Sequence, residues 1–423
     1  MNILLIFPRP DVIKNARFGF SYELLLLATI LRRYHETELH DYSCEPYCEQ
    51  VFKRMLSARN YDLILVECDS FALKRSQNTA HARQILSIAK QIHGLVSIAF
   101  GYYCCIKGED FPPADFTVKV NDLNLILDKI NQFDANTSIK PVLNYDDLPR
   151  VDRSLLLSIP YYRAHKTDTL IQTSKGCQNS CIFCQRKGWQ STYVAHSDEY
   201  TLKELCCLSD LGFNNVWVID ENFTFKLDRA KRLLTKYIEL QLEHVPNLFI
   251  SSWTNIDKEF IDLAAKSNIR IISFGIESGD ADILKYYRKN IVLDEITQIV
   301  RYANDRGIFT VGNFILGAPM ETQETIEKTF DLIRLCEFDQ VNFKILDYMI
   351  GAELYDNLPE RLKTSDHVFA CAENGLCSFP LDVIVQKKND FVLSYYAEHK
   401  NKLTQKIALH GYPYAPTIDD VHS

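Results

Sequence analysis

Apolar residues along this chain fall into short runs, and between the runs they recur every third or fourth position. The runs at residues 2–7, 62–67 and 95–100 are rich in Ile, Leu and Val and predict buried strands, while residues 21–34 and 79–93 carry the helical period. Strands alternating with helices specify a parallel α/β sheet. Residues 1–135 are therefore expected to form a Rossmann-like domain.

Residues 140–157, with Asp146-Asp-Leu-Pro149 and the run Arg153-Ser-Leu-Leu-Leu157, carry no strand signal. They belong to a connector expected at 136–165. Beyond it the alternation resumes, with strands predicted at 169–173, 215–219, 247–251, 270–274, 310–316 and 340–346. The clearest helical patterns are at 258–266, 294–305 and 322–337. Six β/α units suit a partial barrel of the TIM type, a (β/α)6 barrel over 166–365, with its chemistry at the C-terminal strand ends. Residues 366–423 are expected to cover the open barrel mouth. The fold class is α/β throughout.

A formal charge of −8 argues against a nucleic-acid groove as the main working surface. No apolar run reaches the roughly 20 residues that span a bilayer. The first residues, Met1-Asn-Ile-Leu-Leu-Ile-Phe7, have no basic segment before them and read as a strand rather than a signal peptide. A cytoplasmic protein with no membrane partner is expected.

In that compartment the 13 cysteines imply thiols, metal ligands or catalysis rather than disulfides. Cys68, Cys206, Cys207 and Cys336 sit in apolar contexts and read as core. Cys44, Cys48, Cys104 and Cys105 offer only a minority reading as a second metal site. Cys177, Cys181 and Cys184 stand apart, because they follow the first barrel strand on one loop, Gly176-Cys-Gln-Asn-Ser-Cys-Ile-Phe-Cys184. Three thiolates on such a loop can hold a [4Fe–4S] cluster and leave one iron open to an external chelator. S-adenosylmethionine (SAM) could present its amino and carboxylate groups there, beside a reductant at the low end of a range reaching about −700 mV. The rival is a zinc site, with His165 or His196 as fourth ligand in a non-catalytic scaffold.

Cys-x3-Cys-x-aromatic-Cys resembles the signature of the radical SAM superfamily, with Phe183 at the aromatic position. Further segments similar to that family's SAM contacts follow in order: Asp220-Glu-Asn-Phe-Thr224, Ser251-Ser252, Gly275-Ile-Glu-Ser-Gly279 and Asn313-Phe-Ile-Leu-Gly-Ala-Pro-Met-Glu321. The resemblance implies that Phe183 packs near the adenine and that Asp220 or Glu221 meets the SAM amino group. It further implies that Ser252 and Glu277 hold the carboxylate or ribose, and that Ile315 and Gly317 form the adenine platform. The implied chemistry is a 5′-deoxyadenosyl radical that abstracts hydrogen from a substrate, with electrons from an external donor of flavodoxin or ferredoxin type.

The order of domains resembles the branch of that superfamily whose first domain binds cobalamin. Nothing from Met1 to Phe133 matches the Asp-x-His-x-x-Gly loop that supplies the lower cobalt ligand in such domains, and neither His81 nor His93 has those partners. Where the branch shows a Gly-Gly turn, this chain has Phe100-Gly-Tyr-Tyr-Cys-Cys105, whose bulk would crowd a corrin. A degenerate domain is expected, with cobalamin doubtful as a cofactor. Near the C-terminus, Cys371 and, as second choice, Cys377 are placed like the hydrogen-donor thiol of proteusin-type peptide epimerases. The expected reaction is therefore L-to-D epimerisation in a ribosomal precursor peptide. The alternative is a cobalamin-dependent methyltransferase, or another radical SAM enzyme, acting on a small molecule in natural-product biosynthesis.

Overall fold

The structure is a computed structural model, and it describes residues 1–9, 20–69, 78–134, 137–164, 168–185 and 192–410. Of the residues named above, only His165 lies outside the described residues.

The first sheet contains β1 (Asn2–Phe7), β2 (Glu36–Asp41), β3 (Leu63–Glu67), β4 (Val96–Phe100) and β5 (Phe116–Thr117), in the order β2-β1-β3-β4-β5, all parallel. The predicted strands β1, β3 and β4 are its buried centre. β2 was not predicted, because Glu-Thr-Glu-Leu-His-Asp lies at an edge and only Leu39 and Asp41 are buried, so no apolar run marks it. One face of the sheet packs Ile64, Val66 and Cys68 against Ala82, Ile85 and Leu86 of the helix Thr79–Ala89. The strand order reverses between β1 and β3, and in such sheets the crevice beyond the C-terminal strand ends at that point is the ligand position.

The connector contains two short 3-10 turns, Tyr145–Asp147 and Arg153–Ser158, in place of strands. Buried Arg153 ties it down, donating to Thr169 Oγ1 (2.9 Å) and Leu170 O (2.6 Å) and pairing with Glu204 at 2.5 Å.

The second sheet has six strands. β6 (Asp168–Ile171) precedes two short strands, β7 (Ser174–Lys175) and β8 (Val194–Ala195), and then come β9 (Asn215–Val218), β10 (Asn247–Ser252), β11 (Ile269–Glu277), β12 (Phe309–Leu316) and β13 (Gln340–Ile345). Their order, β13-β12-β11-β10-β9-β6, is the predicted partial barrel. β11 runs three residues past its predicted end, through a register irregularity between Gly275 and Glu277 that leaves Glu277 at φ 76°. The chain divides into two compact units, residues 1–172 with 194–214, and residues 173–193 with 215–423.

The C-terminal segment packs along the second sheet. The helix Leu381–His410 runs beside β13, where Tyr396 Oη accepts the Val341 amide at 3.0 Å and so pairs a group on the open sheet edge. Its Leu403 and Ile407 pack on Phe249, Ile271, Phe309 and Val311, in the first halves of their strands and away from the cysteine loop. The hairpin β14 (Asp347–Met349) with β15 (His367–Phe369) carries the chain to Cys371 and Cys377. No helix among the described residues is long and apolar enough to cross a membrane.

Candidate active site

The cysteine loop begins on a buried carboxylate. Asp220, just beyond β9, accepts the Thr173 amide (2.7 Å), the Thr173 hydroxyl (2.6 Å) and the Ser174 hydroxyl (2.6 Å). Arg229 steadies the same turn through Thr173 O at 2.9 Å. Burial raises the Asp220 pKa, while these hydrogen bonds and Arg229 pull it back. Glu221 takes the amide of Gly176 at 2.8 Å, one residue before Cys177. Both acidic residues therefore position the loop, and the Asp220 oxygens face protein donors.

Cys181 is buried, and Cys177 and Cys184 are half-buried. A turn closed by the Cys184 amide on Cys181 O (3.2 Å) brings the last two together. The Cys181 thiol is pushed up to about 12, by burial first; Lys289 opposes this, while Cys184, Glu277 and Cys177 add to it. These neighbours show the three thiols sharing one electrostatic environment. Among the described residues no three His, Cys, Asp or Glu side chains stand as ligands of a single metal ion. A [4Fe–4S] cluster asks for something different, since each thiolate binds its own iron and the sulfurs stand farther apart. Iron would take the place of the proton that burial holds on Cys181.

The facing wall is built from the ends of β10, β11 and β12. Glu277 lies beside buried Lys289, whose Nζ is 3.3 Å from Glu277 Oε1, 2.7 Å from Gly275 O and 4.2 Å above the Trp253 ring. A Cβ at Gly275 would come within 2.9 Å of Glu277 Oε1, so a larger residue there would make the ends of this pair shift. The buried Ser252 hydroxyl meets Thr224 Oγ1 at 2.7 Å and donates to Trp253 O at 2.6 Å. Ile315 is buried, and Gly317, at φ 99°, donates its amide to buried Glu321 at 3.0 Å. Phe183 packs edge-on against Tyr287, with ring centroids 5.1 Å apart. Lys289, Glu321 and Tyr287 were not singled out from the sequence. A lysine, glutamate or tyrosine carries no sign of burial until the fold encloses it.

Cys371 and Cys377 are both buried, and the Cys377 amide donates to Cys371 O at 3.3 Å. The Cys371 sulfur caps the short turn Ala372–Asn374 and its thiol pairs with Glu373, an arrangement that holds a loop. Beside the cysteine loop lies a cavity of about 410 Å³, lined by Ile182, Tyr286, Tyr348, Leu376 and the Arg288–Glu353 ion pair. His196 is stacked between Tyr145 and Tyr200 with Nδ1 3.0 Å from Asp146. Cys68 and Cys336 are buried core residues, whereas Cys206 and Cys207 are half-buried.

Residues 171–333 match the model of the radical SAM superfamily, and this region is a radical SAM domain. A radical SAM domain implies a [4Fe–4S] cluster and SAM, which sets aside the zinc scaffold. Over 396 residues the chain is 25% identical to an uncharacterized methyltransferase of Pyrococcus horikoshii, covering 84% of this chain and 83% of that one. It is also 28% identical over 193 residues to the cytidylyl-2-hydroxyethylphosphonate methyltransferase of Streptomyces wedmorensis, covering 44% of this chain and 36% of that protein. In fold it is similar to the radical SAM methyltransferase TsrM of Kitasatospora setae, with a TM-score of 0.68 at 16% identity over 81% of this chain and 73% of that one. The cobalamin-dependent radical SAM enzyme OxsB is likewise similar, with a TM-score of 0.65 at 18% identity over 84% of this chain and 55% of that one. The two solved structures show the likeness in fold, and the two sequence relatives, both named methyltransferases, favour the methyltransferase alternative and give no support to epimerisation.

Proposed function

We propose that the protein is a cobalamin-dependent radical SAM methyltransferase acting on a small molecule. The observation that carries this reading is the reach of the P. horikoshii match, which at 84% of the chain cannot be confined to the radical SAM domain.

The first sheet's residues fit a corrinoid better than their sequence suggests. At Gly101 (φ 114°) a Cβ would lie 2.8 Å from Cys68 O and 2.7 Å from Asp69 O, so the glycine keeps the turn after β4 flat against the end of β3. Tyr103, one of the bulky residues expected to crowd a corrin, is half-buried and packs edge-on against Phe111 at 5.7 Å, and Cys104 is buried. His81 Nδ1 accepts the Arg9 amide at 2.7 Å, so its proton sits on Nε2, which is buried with no partner among the described residues. In that tautomer His81 is a hydrogen-bond donor and no cobalt ligand.

Bound cobalamin would supply methyl transfer from SAM, a chemistry the cluster by itself does not provide. The chain's own residues do the rest: Asp220 and Glu221 hold the cysteine loop, and Glu277 with Lys289 and Ser252 lines the wall opposite. The cavity beside Ile182, lined by aliphatic side chains, two tyrosines, Asn357 and one ion pair, suits a small substrate with both apolar and polar parts.

The test is anaerobic reconstitution with iron, sulfide and hydroxocobalamin, followed by desalting. The expected result is about one corrinoid per chain and, with reductant and methyl-deuterated SAM, formation of S-adenosylhomocysteine alongside 5′-deoxyadenosine. Protein that retains its cluster and cleaves SAM but holds no corrinoid and makes no S-adenosylhomocysteine would overturn the reading.

A further inference from the structure

The helix Ala281–Tyr286 stops in a geometry that favours glycine. The Arg288 amide donates to Lys285 O (3.1 Å) and the Lys289 amide to Leu284 O (2.9 Å), which closes the helix with Arg288 in the left-handed region at φ 58°. A Cβ disfavours that conformation, so an arginine held in it points to a use for its side chain. That side chain lines the cavity of about 410 Å³ beside the cysteine loop.

Glu353 lines the same cavity from the start of the helix Glu353–Asp356. The next amide, of Leu354, donates to Ile182 O at 3.0 Å, which fixes this turn to the cysteine loop. Arg288 Nη1 is 2.8 Å from Glu353 Oε2 and Nη2 meets Oε1, a two-point pair whose side chains are 45% and 25% exposed. A guanidinium has five N–H donors and a carboxylate about four lone-pair positions, so each partner has capacity beyond the two bonds they share. Arg288 has no other hydrogen-bond partner among the described residues.

Most of the remaining wall is apolar. Ile182, Leu354, Leu358 and Leu376 supply aliphatic surface, and the phenols of Tyr286 and Tyr348 bond to each other. A ligand with an apolar body and a polar head at the ion pair fits this lining. A simple anion drawn to Arg288 would meet the Glu353 carboxylate beside it, and a simple cation drawn to Glu353 would meet the guanidinium. A neutral head would gain hydrogen bonds without charge assistance. A head with a carboxylate and an ammonium on one carbon answers both partners, each charge lying against its opposite.

We propose that the Arg288–Glu353 pair is the recognition element of the substrate cavity, and that the substrate is an α-amino acid with an aliphatic or aromatic side chain. Arg288 takes its carboxylate and Glu353 its ammonium. The assignment rests on reading this cavity as the substrate site, and it needs neither cobalamin nor methyl transfer.

The experiment uses the full-length, cluster-loaded protein with saturating SAM and no reductant, so that SAM occupies the open iron. Equilibrium dialysis measures the Kd of L-phenylalanine, L-tyrosine, L-leucine and L-isoleucine, each beside the same body without its amino group and without its carboxyl group. At least one amino acid should bind at about one per chain, roughly tenfold or more tighter than either single-charge counterpart. Arg288→Gly places the favoured residue at the helix stop, so thermal stability should hold while that amino acid binds roughly tenfold more weakly. The corresponding amine, no longer facing a guanidinium, should bind this variant more tightly than the wild type. Glu353→Gln should also weaken the amino acid, but here the corresponding acid should bind more tightly than to the wild type.

Absence of saturable binding for all four amino acids would overturn the proposal. So would an acid or amine that binds the wild type as tightly as its amino acid does. Variants in which acid and amine affinities shift together would overturn it as well, since a pair that only clasps two segments has no preference for the sign of a ligand. Corrinoid content and S-adenosylhomocysteine enter none of these readouts, so this proposal and the methyltransferase reading fail separately.

Discussion

The two sheets differ in how the carboxylates at their C-terminal ends are held. In the barrel, Asp220, Glu221, Glu277 and Glu321 already have protein partners, and Lys289 is held by Gly275 O and Glu277. In the first sheet, His81 Nε2 and the Tyr47 hydroxyl are buried without hydrogen-bond partners among the described residues, and buried Glu67 has the Ser21 hydroxyl beside it. Burial pushes Glu67 well above the carboxylate range, with Glu23 adding to it and a hydrogen bond from Ser21 opposing it, and burial pushes His81 down to about 4. A carboxylate whose oxygens are satisfied beforehand keeps its position when the site is empty. One with unsatisfied atoms is less stable, and such a cost is tolerated where function requires it.

The strongest way to break this comparison is at the cysteines. Cys177→Ala, Cys181→Ala or Cys184→Ala should each abolish cluster binding and SAM cleavage and leave the first sheet folded, as read by iron and sulfide content and circular dichroism. Full cluster and turnover in any one variant would remove that residue from the ligand set.

Next in size is the wall opposite the loop. Glu277→Ala and Ser252→Ala should retain the cluster but weaken SAM binding roughly tenfold to a hundredfold, the worth of a hydrogen bond to a charged group at about 1.5–3 kcal/mol. Wild-type SAM affinity in both variants would place the pocket elsewhere.

The first sheet should answer to pH. Glu67 has its folded-state pKa raised, so its contribution to stability is complete below the ordinary carboxylate value of 4.5 and is lost as pH rises toward the folded value. In that window the folded state binds one proton more than the unfolded state, and stability should fall by up to about 1.4 kcal/mol per pH unit. Glu67→Gln has no proton to bind, so the stability difference between wild type and variant, from urea unfolding at several pH values, should drift in the variant's favour as pH rises. A gap that stays constant with pH would mean that Glu67 is charged and paired.

The smallest effect is expected at Cys371. Cys371→Ala removes a capping sulfur and should lower stability by about 0.5–2 kcal/mol, with the products unchanged by mass spectrometry. Loss of product with continued SAM cleavage would restore this thiol to a role as hydrogen donor.

Much of the barrel is legible in the chain because its strands are short apolar runs and its ligands sit on one local motif. The three cysteines need only a loop of their own to meet, and Gly275 and Gly317 stand in segments recognisable by order alone. The edge strand β2 was missed for the opposite reason: Glu36–Asp41 is held by pairing with β1, and pairing leaves no mark on composition.

What the sequence by itself determined is the α/β alternation, the six barrel strands and the cysteine loop, since each depends on residues close together in the chain. Tertiary structure alone decided which polar residues are buried and what they meet. It turned Asp220 toward Thr173 and Ser174, set Lys289 against Glu277 and enclosed Tyr287 beside Phe183 with its hydroxyl unpaired. Burial and partnership are sums over residues distant in sequence, and they set the charge and hydrogen-bonding state of a side chain more strongly than its own chemistry does.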